Sequence, residues 1–335
     1  MQTILGANGI IAFHLAKDLT QYTNKIRLVS RNPRKVNDTD ELFPADLLDA
    51  AKVDEAVKGS EIVYLTAGLK YDIKVWKVQW PIVMTNVINA CKKHKAKLVF
   101  FDNVYAYGKV DGWMTEATPY NPCSKKGEVR RAIAEQLMNE VKSGALTAMI
   151  IRSADFYGPN TATSFLNVLV FDKLKNKKAA QLLGSADTLH SVTYTPDAAK
   201  ATALLGNTPE AYNQVWHAPT DKHTITAKQF IEKAAALMNV PPKYTVLPKF
   251  LMSILGIFIG VLRESKEMLY QNENDYLFSS DKFETAFPLF RVTTYDEGIK
   301  EIVGSRESSP KVGKTGSPEE NTNTSREVGS REVRR

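Results

Sequence analysis

Cysteine is scarce in this chain of 335 residues: Cys91 and Cys123 are the only two, and they stand in unrelated contexts. That argues against a disulfide scaffold and for a reducing compartment. The five histidines, His14, His94, His190, His217 and His223, lack metal-ligand spacing, so no metal site is expected. Long apolar runs are also missing. The longest, Phe250 to Leu262, is interrupted by Ser253, Gly256 and Gly260, and it reads as a buried or interfacial helix rather than a membrane span. No secretory leader pattern precedes the first strand-like stretch, and the cytoplasm is the expected location. The formal net charge is +7, yet the basic residues form no blocks. The excess suits anionic ligands such as phosphates. Without a basic helix or an aromatic-studded strand pair, nothing points to nucleic acid.

What is present is the composition of an ordinary globular protein, 43% apolar and 24% charged, on a chain long enough for a well-buried core. Short runs rich in Val and Ile (Gln2–Leu5, Ile26–Ser30, Glu61–Leu65, Lys97–Asp102, Thr147–Arg152) alternate with helical patterns at Ile10–Leu19, Leu48–Val57, Ile73–Lys93 and Lys126–Val141. This alternation predicts an α/β fold: a Rossmann-type doubly wound parallel sheet, with ligands at the carboxyl ends of its strands. Beyond residue 155 the pattern loosens into helices at Pro196–Leu205, Thr226–Met238 and Phe250–Leu262, with strands at His190–Tyr194 and Gln214–His217. The expected division is a nucleotide-binding domain over 1–154, to which 190–217 adds, and a smaller, mostly helical substrate lobe over 155–304. The stretch 305–335 is rich in Ser, Glu, Arg, Thr and Gly, and is expected to be a disordered tail.

The strongest motif is Leu5-Gly6-Ala7-Asn8-Gly9-Ile10-Ile11-Ala12, between a strand and a helix. Gly6 permits a tight turn, Gly9 lets a pyrophosphate approach the backbone, and Ala12 allows close helix–strand packing. The following helix offers free N–H groups to phosphate. At the end of the second strand stands Arg31, where an NAD-preferring protein would carry an acidic residue for the ribose hydroxyls. Its guanidinium suits the 2′-phosphate of NADP, with Arg34 and Lys35 close by, so NADP is expected over NAD.

Further strand ends repeat a recognisable order: Ala45-Asp46-Leu47, Thr66-Ala67-Gly68, Val104-Tyr105-Ala106-Tyr107-Gly108, Arg152 to Pro159, Tyr194 to Ala199 and Arg263 to Glu267. Together with the glycine turn, this order resembles the extended short-chain dehydrogenases/reductases, the NAD-dependent epimerase/dehydratase group, over residues 2 to 304. The resemblance implies a cofactor site of Gly6, Ala7, Asn8, Gly9, Ile10, Arg31, Asp46, Leu47, Ala67, Gly68 and Ala154. It also implies a small-molecule substrate, and a homodimer through the two long helices. The family's Ser/Thr, Tyr and Lys are absent. Counting from Tyr107-Gly108 and from Glu135, their places fall on Asn103, Gly127 and Arg131. Glycine cannot transfer a proton, and arginine stays charged. Two readings follow. Either another group relays the proton, with Asp102, Asn103, Tyr105, Tyr107, Lys125 or Lys126 as candidates and Arg131 holding ribose, or the protein binds NADP(H) without turnover as a redox sensor or scaffold.

Overall fold

The strand-like runs pair as their buried faces demand. In the computed structural model, which describes residues 1–161, 164, 166–247 and 260–307, seven of them form one parallel sheet: β1 (Gln2–Leu5), β2 (Ile26–Ser30), β3 (Glu41–Pro44), β4 (Ile62–Leu65), β5 (Lys97–Asn103), β6 (Ala148–Ser153) and β7 (Val215–His217). Their order is β7-β6-β5-β4-β1-β2-β3. The chain therefore winds outward from β1 in one direction and restarts at β4 in the other. Between β1 and β4 lies the switch point where such sheets open a crevice for ligands.

Alternate residues of each strand feed opposite faces, as the strand period of two requires. Ile4, Leu28, Tyr64, Val99 and Ile151 pack beneath α1 (Ile10–Asp18). Leu5, Val29, Leu65, Phe100 and Ile150 pack against α2 (Ala50–Val57), α3 (Ile73–His94) and α4 (Lys125–Lys142). A further helix, α5 (Thr195–Gly206), returns to the α1 face. Side-chain acceptors close three of these helices at their N-termini: Asp49 for α2, Asp72 for α3 and Ser124 for α4. Gly9 begins α1 with no side-chain cap.

The lobe carries its own core of Tyr157, Phe171, Phe230, Ile231, Tyr295, Ile299 and Ile302. Helix Ala227–Leu237, closed by a Thr226/Gln229 capping box, contributes part of it, and Tyr295–Glu307 contributes the rest. Three short parallel pairs accompany the helices: Asp155–Tyr157 with Val192–Tyr194, Ala180–Leu183 with Tyr244–Leu247, and Trp113–Met114 with Leu277–Phe278.

The structure departs from the sequence expectations in four places. Glu41–Pro44 is an additional edge strand; it is mostly exposed and ends in proline, which only an edge tolerates, so it carries no apolar run. Val192–Tyr194 pairs with Asp155–Tyr157 instead of joining the central sheet, whereas Val215–His217 does join it beside β6. The expected helix over Phe250–Leu262 falls mainly outside the described residues; Gly260–Ser265 is helical. Ser305 to Glu307 complete the last helix, so the tail expectation starts too early, and 308–335 lie outside the described residues.

Trp80 is 1% exposed on α3, with the Arg130 guanidinium 4.3 Å above its ring. Trp80→Ala should lower stability to urea by about 3–5 kcal/mol. A loss below about 1 kcal/mol would show that this contact is not part of the core.

Candidate active site

The glycine turn is set by how closely two strand ends approach. Gly6 has φ +95°, and a Cβ there would lie 2.4 Å from the Ala67 Cα, so any side chain would collide with the end of β4. The amides of Gly6 and Ala7 both donate to the Val29 carbonyl, at 2.9 and 3.0 Å, and this joins the turn to β2. Gly9 and Gly68 face a different situation. A Cβ at Gly9 would meet nothing nearer than 3.6 Å, and one at Gly68 nothing within 4 Å. Beside them Ile10 opens α1 and leaves its first-turn N–H groups uncapped. This is the fit that a dinucleotide's pyrophosphate needs: open space in front of unpaired donors at the positive end of a helix.

The other expected cofactor residues sit around this turn at the strand ends. Asn8 donates from Nδ2 to the Asn32 carbonyl at 3.0 Å, pinning the loop that carries Arg31. Arg31 is exposed and has no hydrogen-bond or ion-pair partner among the described residues. Asp46 is exposed and accepts the Leu48 amide on Oδ1 at 3.0 Å, while Leu47 is packed inward. Ala154, 5% exposed, follows β6.

The proposed proton-transfer positions are distributed differently. Asp102 is fully buried at the end of β5. Its Oδ1 accepts from Arg130 Nε at 2.7 Å and from the Asn103 amide at 2.8 Å, and its Oδ2 lies 3.5 Å from Arg152 Nε. A carboxylate shared by two buried guanidiniums serves as their counter-ion, not as a free base. Asn103 uses Oδ1 to accept the Tyr105 amide. The Tyr107 hydroxyl is buried 2.8 Å from His217 Nε2, and burial pushes its phenol up to about 12 although Arg152 pulls the other way. Tyr107 therefore belongs to the packing between sheet and lobe. Gly127 presses against the Tyr105 carbonyl, which would lie 2.5 Å from any Cβ, so no tyrosine fits there. Arg131 points outward, 44% exposed, with Glu135 at 4.0 Å.

The inward face of α4 lies one residue earlier, at Lys126 and Arg130, a spacing of four that places both on one side of the helix. Lys126 is fully buried. Its Nζ donates to Glu264 Oε2 at 2.7 Å and to Glu267 Oε1 at 2.9 Å, and stands 4.6 Å over the Tyr71 ring. The same two carboxylates accept the first amides of α3 and α4, from Ile73 at 2.9 Å and Lys125 at 2.8 Å. Partial burial alone would raise the Glu264 carboxyl, but the hydrogen bonds from Lys126 and Ile73 outweigh it and hold it below its ordinary value. Burial raises the phenols of Tyr71 and Tyr105, so they remain protonated donors at neutral pH. Sequence counting missed Tyr71, Glu264 and Glu267. The Lys126/Arg130 spacing was a legible signal; the carboxylate partners, more than a hundred residues away, were not.

Sheet order, glycine turn and overlying lobe define a Rossmann-type protein of the extended short-chain dehydrogenase/reductase class. The sequence model of the NAD dependent epimerase/dehydratase family matches residues 3–216, and the chain belongs to that family. Among curated protein sequences none matches it. Solved structures with the same fold include the UDP-glucose 4-epimerase of Thermus thermophilus in complex with NAD, at TM-score 0.75 and 16% identity, covering 92% of this chain and 100% of that one. The dTDP-glucose 4,6-dehydratase of Bacillus anthracis, in complex with NAD, aligns at TM-score 0.75 and 15% identity over 91% and 96% of the two chains. The UDP-glucuronic acid 4-epimerase of Bacillus cereus, also with NAD, gives 0.71 and 16% over 92% and 99%. At these identities the likeness concerns the fold.

His217 supplies a test of the packing around Tyr107. Burial lowers its pKa from 6.5 to about 3, while its Nδ1 donates to the Ser279 carbonyl at 2.7 Å. Between those values the unfolded chain binds a proton that the folded one refuses, so stability falls as the pH drops below about 6.5. In urea titrations at pH 7 and pH 5.5, His217→Gln should lose less stability on acidification than the wild type, by about 1 kcal/mol. Identical losses would mean that His217 titrates normally in the folded protein.

Proposed function

We propose that the protein is an NAD(P)-binding oxidoreductase or epimerase acting on a small molecule held between the strand ends and the C-terminal lobe. The observation that carries this reading is the space in front of Gly9 and Gly68 at the uncapped start of α1. A nicotinamide dinucleotide bound there supplies reversible hydride transfer. The chain's own contribution is positional. Ile10 and Ile11 offer N–H groups to the phosphates, Asp46 offers a carboxylate to the adenosine, and Ala67 and Gly68 leave room beneath the dinucleotide. Arg31 favours NADP, because its unpaired guanidinium is a bidentate donor for a 2′-phosphate. The family's proton relay is not available at Asn103, Gly127 or Arg131, and Tyr71 and Tyr105 offer protonated phenols near the same strand end.

A second reading draws on the same loss of the relay: an NADP(H)-binding redox sensor or scaffold without turnover. The glycine at 127 and the outward Arg131 favour it.

Calorimetric titration with NADPH and NADH tests the cofactor reading. Wild type should bind NADPH more tightly, and Arg31→Ala should weaken NADPH by about 10- to 100-fold while leaving NADH nearly unchanged. Equal weakening of both nucleotides would remove the NADP assignment; binding of neither would remove the oxidoreductase reading.

A further inference from the structure

We propose that His190 and Asp155 form the proton-transfer pair of this site, in place of the missing tyrosine and lysine, and that they act on a secondary alcohol or its ketone. The inference rests on the nicotinamide-cofactor reading above. Asp155 directly follows Ala154, one of the residues expected in the cofactor site, at the end of β6. His190 Nε2 lies 3.0 Å from Asp155 Oδ2, the imidazole being 13% exposed and the carboxylate 39%. The ring is held in place rather than free to rotate. It stacks on Tyr276 with centroids 4.5 Å apart and an interplanar angle of 17°. Its backbone is fixed by a bridge to Tyr276 and by a hydrogen bond from its amide to the Ile225 carbonyl at 3.1 Å. Nδ1 has no hydrogen-bond partner among the described residues.

This is the arrangement of an oriented general base. The carboxylate accepts a hydrogen bond from Nε2–H, fixes the tautomer and leaves the Nδ1 lone pair for a substrate hydroxyl. Burial raises the phenols of Tyr71, Tyr105 and Tyr276, and the Asp155 carboxylate adds to the effect in all three. During oxidation the hydroxyl proton passes to Nδ1 and the C–H bond breaks. Its electron pair leaves as hydride to the oxidised nicotinamide dinucleotide, and the O–H electrons form the carbonyl. Asp155 stabilises the resulting imidazolium, and reduction runs the same steps backward. Asp155 acts through His190 and is a positioning residue.

Diethyl pyrocarbonate, which acylates an imidazole at an unprotonated ring nitrogen, tests the pair without a known substrate. The full chain is treated alone, with NADP⁺, and with 2′-phospho-ADP-ribose, which lacks only the nicotinamide ring. Modification of the His190 peptide is followed by mass spectrometry. The expected result is modification of His190 that NADP⁺ slows about tenfold and 2′-phospho-ADP-ribose does not, because only the nicotinamide covers the ring. Asp155→Asn should slow the modification severalfold while keeping NADP⁺ affinity, and His190→Gln should lose the modified peptide and also keep that affinity. If NADP⁺ binds but neither it nor Asp155→Asn changes the rate, the proton-transfer pair is overturned and the cofactor reading stands. If NADP⁺ does not bind the wild type, the cofactor reading fails and the pair falls with it.

Discussion

The ends of β1 and β4 approach so closely at Gly6 and Ala67 that no side chain fits between them. Most of the site's geometry follows from that constraint. The chain must turn through a positive φ at Gly6, which aims the start of α1 at the crevice where the sheet's winding reverses. Because Gly9 brings no capping side chain, the first N–H groups of α1 stay available, whereas α2, α3 and α4 each satisfy theirs with Asp49, Asp72 or Ser124. The one uncapped helix among these four is the one that faces the open space.

The neighbouring strand ends carry two ionic assemblies. Asp102 lies between Arg130 and Arg152 at the carboxyl end of β5, and Glu264 with Glu267 neutralises Lys126 while receiving the first amides of α3 and α4. A lysine in the first turn of a helix opposes the helix dipole, and two carboxylates reverse that penalty. The second assembly therefore ties the lobe to both long helices at the mouth of the site. Buried ions of this kind fix geometry more than they add stability, since desolvation offsets much of their attraction. Both assemblies leave the side chains of Asp102 and Lys126 engaged by ionic partners.

The parallel sheet and its flanking helices were legible because their residues obey simple periods. Strands of Val, Ile and Leu buried on both faces read as short apolar runs, and the predicted helices over Ile73–Lys93 and Lys126–Val141 match α3 and α4 to within a residue or two. Proline at 81 lies inside α3, exposed on its surface. The glycine turn was legible because its residue types follow from backbone geometry. The edge strand Glu41–Pro44 was not, because an edge needs no apolar face. The polar site was legible only in part. Counting along α4 from Glu135 selected Gly127 and Arg131, while packing turned Lys126 and Arg130 inward. The pairing of Asp155 with His190 joins positions 35 residues apart through a two-stranded parallel pair that no local pattern announces.

Whether the start of α1 receives the phosphates of a dinucleotide decides the functional reading. The most direct measurement is the ¹H–¹⁵N spectrum of the labelled protein titrated with NADP⁺, with the backbone amides of Gly9, Ile10 and Ile11 assigned. Saturable shifts concentrated on those amides and on Ala67 and Gly68, reaching completion together, are the predicted result. A spectrum in which these amides stay unmoved while NADP⁺ is in excess, or in which shifts appear only elsewhere, would contradict it.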